Sequence, residues 1–167
     1  MLFYTIPYLF FFLPLTLLLF FMGGYFKIDR KIILILVFIF FYSWWNIYYL
    51  PVILFSIIIN YYFYKKLVSS ELNKKNTLLK GIALNVLVLI IFKYTDFIIE
   101  NINLVFSTSI SPLNLPFPLA ISFYTFQTIA FLINVYDEDI LDVKMKDFFL
   151  FVVFFPQLIA GPIVKYN

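Results

Sequence analysis

From Ile32 to Tyr64 the chain runs for 33 residues without one charged side chain. A bilayer core is ~30 Å thick and takes ~20 apolar residues per crossing helix, so this run is long for one crossing and short for two. The flanking charges choose between them. Lys27, Asp29, Arg30 and Lys31 precede the run, and Lys65, Lys66, Lys74, Lys75 and Lys80 follow it against one acid, Glu71. Short basic loops stay on the cytoplasmic side, and both loops stay there only if the chain between them crosses twice. The expected structure is a helical hairpin turning at Ser43–Asn46, with Trp44 and Trp45 at the far interface. Arms of about 16 residues reach only ~24 Å, so the helices must extend into their flanks or the bilayer must thin locally. The alternative is one long tilted helix, which puts the basic loops on opposite sides.

The same logic extends along the chain. With 64% hydrophobic residues, 13% charged residues and a mean hydropathy of +1.00, the apolar surplus exceeds what one soluble core of 167 residues can bury. Met1–Phe26 is uncharged and lacks the basic start and small-residue cleavage site of a signal peptide; residues 3–22 read as a first span, with Pro7 and Pro14 as bending points. Gly81–Ile99 reads as a further span. Asn101–Pro118 reads as a turn-rich external loop or shallow segment, and Leu119–Tyr136 as the next span. Asp137–Asp147 reads as an interfacial loop or amphipathic turn, and Phe148–Val164 as a short last span or re-entrant segment. The expected fold is an all-α transmembrane bundle of about six hydrophobic segments, one membrane unit over residues 1–167, with the N-terminus outside.

The residues present narrow the chemistry. The chain has no cysteine and no histidine, which removes disulfides, thiolate sites, the commonest general base and the commonest metal ligand. No basic stripe suits nucleic acid. Polar groups inside spans are the informative positions, because hydrocarbon offers them no partner. By helical spacing Tyr124, Gln127, Thr128 and Asn134 share one face of residues 121–136, and Ser122 and Thr125 form a second, smaller face. Their first reading is structural, as hydrogen bonds to neighbouring helices, and lining a polar tunnel is compatible with it. Asn60 and Asn85 read as interhelical amides. Lys93 and Asp96, three residues apart, are expected to pair at a helix end. Pro156, Gln157, Gly161 and Pro162 make a broken apolar element, read equally as a kinked helix or as the wall of a substrate passage. No metal-ligand spacing, phosphate loop or nucleophile elbow is present.

Five ordered blocks add a resemblance: FYSWWN at 41–46, SIIINYYF at 56–63, FKYTDF at 92–97, PLAISFYTFQTIAFLINVY at 118–136 and FFPQLIAGPIVKY at 154–166. Together they resemble the N-terminal part of the membrane-bound O-acyltransferase family, in its bacterial branch of alginate O-acetyltransferase and D-alanyl-lipoteichoic acid exporter-like proteins. Ala120 stands where that family usually has glycine, and Asn134 where aspartate is usual; Asp137 and Glu138 follow where arginine is common. The resemblance implies a multi-span enzyme of the bacterial cytoplasmic membrane. Such an enzyme moves an acyl group, here acetyl rather than D-alanyl, to a hydroxyl of an extracellular or wall polysaccharide. It implies an acyl donor, as acyl-CoA or an acyl-carrier thioester, and an extracytoplasmic partner that handles the polymer. The family histidine would serve as general base and lies downstream of the 154–166 block; no residue here replaces it. The expectation is therefore the N-terminal portion of such an acyltransferase, inactive without its C-terminal half. The alternative is a non-catalytic scaffold or accessory subunit that keeps the family's helices.

Overall fold

The computed structural model of the chain describes residues 5–69, 73–115, 118–137 and 142–154, with Trp45 described in its backbone only. All its regular elements are helical. A π-helical turn, Tyr8–Phe12, leads into α1 (Leu13–Tyr25); α2 is Arg30–Asn46, and a 3₁₀ turn, Ile47–Tyr49, joins it to α3 (Leu50–Ser69). Then come α4 (Lys74–Lys93), α5 (Thr95–Phe106), α6 (Ile121–Tyr136) and α7 (Met145–Val153). Among the described residues three helical stretches, Tyr8–Tyr25, Ile47–Ser69 and Lys74–Lys93, are long and apolar enough to cross a membrane, and Ile121–Tyr136 is a shorter apolar helix. The protein is a helical membrane protein.

Local chemistry explains the joints. Pro14 has no N–H to give residue 10, and its ring crowds that carbonyl; the wider π turn just before it accommodates the lost bond. Asp29 caps α2 by accepting the Lys31 N–H at 3.0 Å. Asn46 is extended, with φ −164°, and accepts the Tyr48 N–H at 2.9 Å, so it ends one helix and caps the next turn. The hairpin therefore breaks at Asn46–Leu50, next to the expected turn. Ala120 enters α6 in the left-handed region, φ 58°, which explains why glycine suits that position.

Side-chain contacts define two ends of the bundle. Lys31 pairs with Asp147, and Lys146 with Asp29 at 2.6 Å, so the start of α2 meets the start of α7. At the same end Tyr61 donates to the Val143 carbonyl at 3.2 Å, and the Tyr64 hydroxyl accepts the Val143 N–H at 2.8 Å. The start of α2 and the close of α3 thus lie together, and the basic stretches beginning at Lys27 and at Lys65 share one end. At the other end the Tyr42 hydroxyl reaches the Leu119 carbonyl at 3.3 Å, and Tyr49 meets Phe92 edge-on at 6.2 Å. Tyr8 and Phe12 pack on Phe41 there. Helix α6 lies centrally, packed on α3, α4 and α7. Phe131 of α6 joins Tyr64, Phe148 and Phe151 in an aromatic core.

Three expectations need correction. The span expected over Gly81–Ile99 begins earlier, at Lys74, and breaks at Tyr94. The stretch 101–118 is not all loop, because α5 runs to Phe106 and the following segment folds back on it. Asp96 accepts the Leu113 and Asn114 N–H groups at 2.7 and 3.1 Å, and Asn103 holds Ile110 and Thr108. Lys93 and Asp96 are not paired: the break at Tyr94 turns Asp96 toward that loop, while Lys93 lies 5.3 Å from the Tyr94 ring.

Candidate functional site

The polar interior is built on α6. Tyr124, Thr125, Gln127 and Thr128 are fully buried, whereas Ser122 and Asn134, nearer the two ends of the helix, are half-buried. Gly81 on α4 makes the close approach possible. A Cβ there would meet the Leu132 side chain at 2.9 Å.

At the level of Thr128 three helices exchange hydrogen bonds. Asn60 of α3 donates to the Asn85 carbonyl oxygen of α4 at 3.0 Å, and Asn85 donates back at 2.6 Å. Each amide also donates to its own helix, to the Ser56 and Gly81 carbonyls, both at 2.8 Å. The Thr128 hydroxyl lies 3.2 Å from the Asn85 oxygen and is shared with the Tyr124 and Thr125 carbonyls. The two amides anticipated as interhelical bonds are thus each other's partner.

At Gln127, next to Thr128, and at Tyr124, one turn nearer the start of α6, the satisfaction is incomplete. Gln127 donates through Nε2 to the Phe151 carbonyl of α7 at 2.7 Å, leaving Oε1 buried with no partner. The Tyr124 hydroxyl is buried and likewise without a partner. Such groups are rare in folded proteins, and each calls for an explanation, such as a bound group or a functional role. This pair, one helical turn apart, marks the candidate site. It offers an O–H donor and a carbonyl acceptor, neither of which can remove a proton near neutral pH. Among the described residues no cluster of carboxylates could hold a metal ion.

Of the remaining candidates, Lys93 and Asp96 lie at the far end of α4 and the start of α5, away from this pair in the chain and bonded locally. Pro156, Gln157, Gly161 and Pro162 fall outside the described residues. Sequence reading missed the reciprocal ion pairs between residues 29–31 and 146–147, whose partners are 116 and 117 positions apart. Their one visible signal is the alternation of acids and lysines in both segments.

Comparison with known proteins supplies the remaining context. The chain is 40% identical over 119 residues to a peptidoglycan O-acetyltransferase of Helicobacter pylori, covering 56% of this chain and 23% of that protein. It is 37% identical over 95 residues to a probable alginate O-acetylase AlgI of Pseudomonas aeruginosa, 54% of this chain and 18% of the relative. A probable alginate O-acetylase AlgI of Azotobacter vinelandii is 35% identical over 92 residues, 52% of this chain and 18% of that protein. The matched stretch thus spans about a fifth of each relative's length. No family model and no solved structure matches the chain. Over the matched stretch the chain is similar to bacterial proteins named as a peptidoglycan O-acetyltransferase and as probable alginate O-acetylases.

Proposed function

We propose that this chain is the N-terminal portion of a membrane-bound O-acyltransferase that acetylates hydroxyls of an extracellular or cell-wall polysaccharide. The similarity to O-acetyltransferases of peptidoglycan and alginate carries the reading. The unpartnered Tyr124 hydroxyl and Gln127 Oε1 support it as polar groups of a passage wall, beside the other α6 residues Ser122, Thr125 and Asn134. In this reading the basic end faces the cytoplasm by the positive-inside rule, and the N-terminus lies outside. Six segments enter the bundle: α1, α2, α3, α4, α6 and the one opened by α7. Acyl-CoA or an acyl-carrier thioester delivers the donor from the basic side, and a polymer-handling partner works on the other. In the reaction the acceptor oxygen bonds the acyl carbon as the thioester C–S bond breaks, and the carrier leaves as a thiolate that takes up a proton. The base that takes the hydroxyl proton comes from outside these residues, since the chain has no histidine.

The test is complementation in a bacterium deleted for its own wall O-acetyltransferase. The chain alone is expected to restore no ester-linked acetate on the polysaccharide. The chain co-expressed with the C-terminal remainder of a relative is expected to restore it. Acetylation by the chain alone refutes the division of labour. A stable complex that acetylates nothing favours the second reading, a non-catalytic scaffold, which the absence of histidine also motivates.

A further inference from the structure

The outer face of α1 and α2 carries a crevice of about 280 Å³, lined by Phe12, Leu15, Leu19, Leu36, Val37 and Phe40, with Thr16 at its floor. Its lining exposes almost no polar surface, because the Thr16 hydroxyl is turned back onto the Phe12 carbonyl at 2.7 Å. We propose that this crevice binds one acyl chain of an anionic phospholipid from the leaflet at the basic end, with the phosphate held by Lys27 and Arg30.

Three observations choose this occupant. The first is charge. At this end Lys31, Asp29, Lys146 and Asp147 neutralise one another in two ion pairs, whereas Lys27 and Arg30 are exposed and have no carboxylate partner among the described residues. The second is placement. Arg30 lies over the Phe20 ring at 5.2 Å, next in sequence to the crevice residue Leu19. It can lie flat on α1 because residue 24 is glycine: a Cβ there would stand 2.3 Å from its Nη2. The third is depth. At 1.5 Å per residue, Leu36 and Phe40 lie ~9 and ~15 Å along α2 from Arg30. A single-leaflet lipid chain has that reach. A second copy of this chain would cover the apolar wall but leave the two cations without an anion.

The test is native mass spectrometry of the full chain released from detergent, with phosphatidylglycerol or phosphatidylcholine of identical chains. Phosphatidylglycerol is expected to be retained about tenfold better, and the Lys27→Gln/Arg30→Gln variant to lose that preference. Both residues are exposed, so the fold tolerates the change. Leu36→Trp, also at an exposed position, is expected to lower retention of both lipids by filling the crevice. In a second measurement, phosphatidylglycerol carrying a mid-chain diazirine is expected to label the peptides holding Leu15 and Leu36. Equal retention of the two lipids, unchanged preference in the double variant, or labelling confined to other helices overturns the proposal. So does a dimer that excludes lipid.

Discussion

The Asn60–Asn85 exchange allows a quantitative test. Replacing Asn60 by Ala removes both bonds between the amides, at 3.0 and 2.6 Å, while Asn85 keeps the Gly81 carbonyl and the Thr128 hydroxyl. Asn85→Ala removes the same two bonds and also releases Thr128. Interhelical hydrogen bonds in membranes average ~0.6 kcal/mol each in double-mutant cycles and reach ~1.7. Two bonds therefore predict a coupling energy of about 1–2 kcal/mol between the sites, with the double variant little worse than Asn85→Ala alone. The assay is equilibrium unfolding of the full chain in mixed micelles with increasing dodecyl sulfate, followed by circular dichroism. If the single costs add to within ~0.3 kcal/mol, the two amides do not bond each other and the central packing described here is wrong.

Other substitutions probe separate points. Tyr124→Phe removes a buried hydroxyl that has no partner, so it should leave the chain equally stable or up to ~1 kcal/mol more stable in the same titration; a loss of that size would reveal a partner. Ala120→Gly relieves the left-handed φ of 58° and should stabilise by ~1 kcal/mol, whereas Ala120→Val should destabilise. The Asp29 carboxyl is held below its ordinary pKa, first by the hydrogen bond from Lys146 and then by the Lys31 N–H. Its contribution should therefore be present above the usual carboxylate range and vanish as the pH falls through the lowered value. An acid titration of unfolding in which Asp29→Asn leaves the slope unchanged would count against that ion pair.

How much was legible depended on whether a signal was local. That the uncharged run breaks into two helices could be read because the charges on either side share a sign, although the break falls at Asn46–Leu50, just past the expected Ser43–Asn46. The polar face of α6 could be read only in part from 3.6-residue spacing: Tyr124, Gln127 and Thr128 are buried, but Thr125, assigned to the second face, is buried with them and Asn134 is half-buried. Helix α5 was hidden because Asn101, Asn103 and Ser107 read as turn formers; in the structure Asn103 instead anchors the loop from within the helix. The i, i+3 spacing of Lys93 and Asp96 pointed to a pair only for an unbroken helix. The ion pairs between α2 and α7 were not legible, because nothing local records which distant charge a lysine meets. The unpartnered atoms at Tyr124 and Gln127 belong to the same class, since satisfaction is a property of the packed neighbours.

The polar links between helices also differ in how much chain each must wait for. The amide exchange joins residues 25 apart, whereas the ion pairs joining α2 to α7 close over 116 and 117 residues. Contacts distant in sequence bear the larger loop-closure cost and form later in folding. During synthesis α3 and α4 can therefore lock as a pair as soon as both have emerged. The clamp at the basic end can be fastened only once α7 has been made. An insertion intermediate stalled before residue 144 would carry a finished amide lock beside an α2 whose Asp29 and Lys31 still face water, a state that chaperones and membrane proteases could distinguish from the completed bundle.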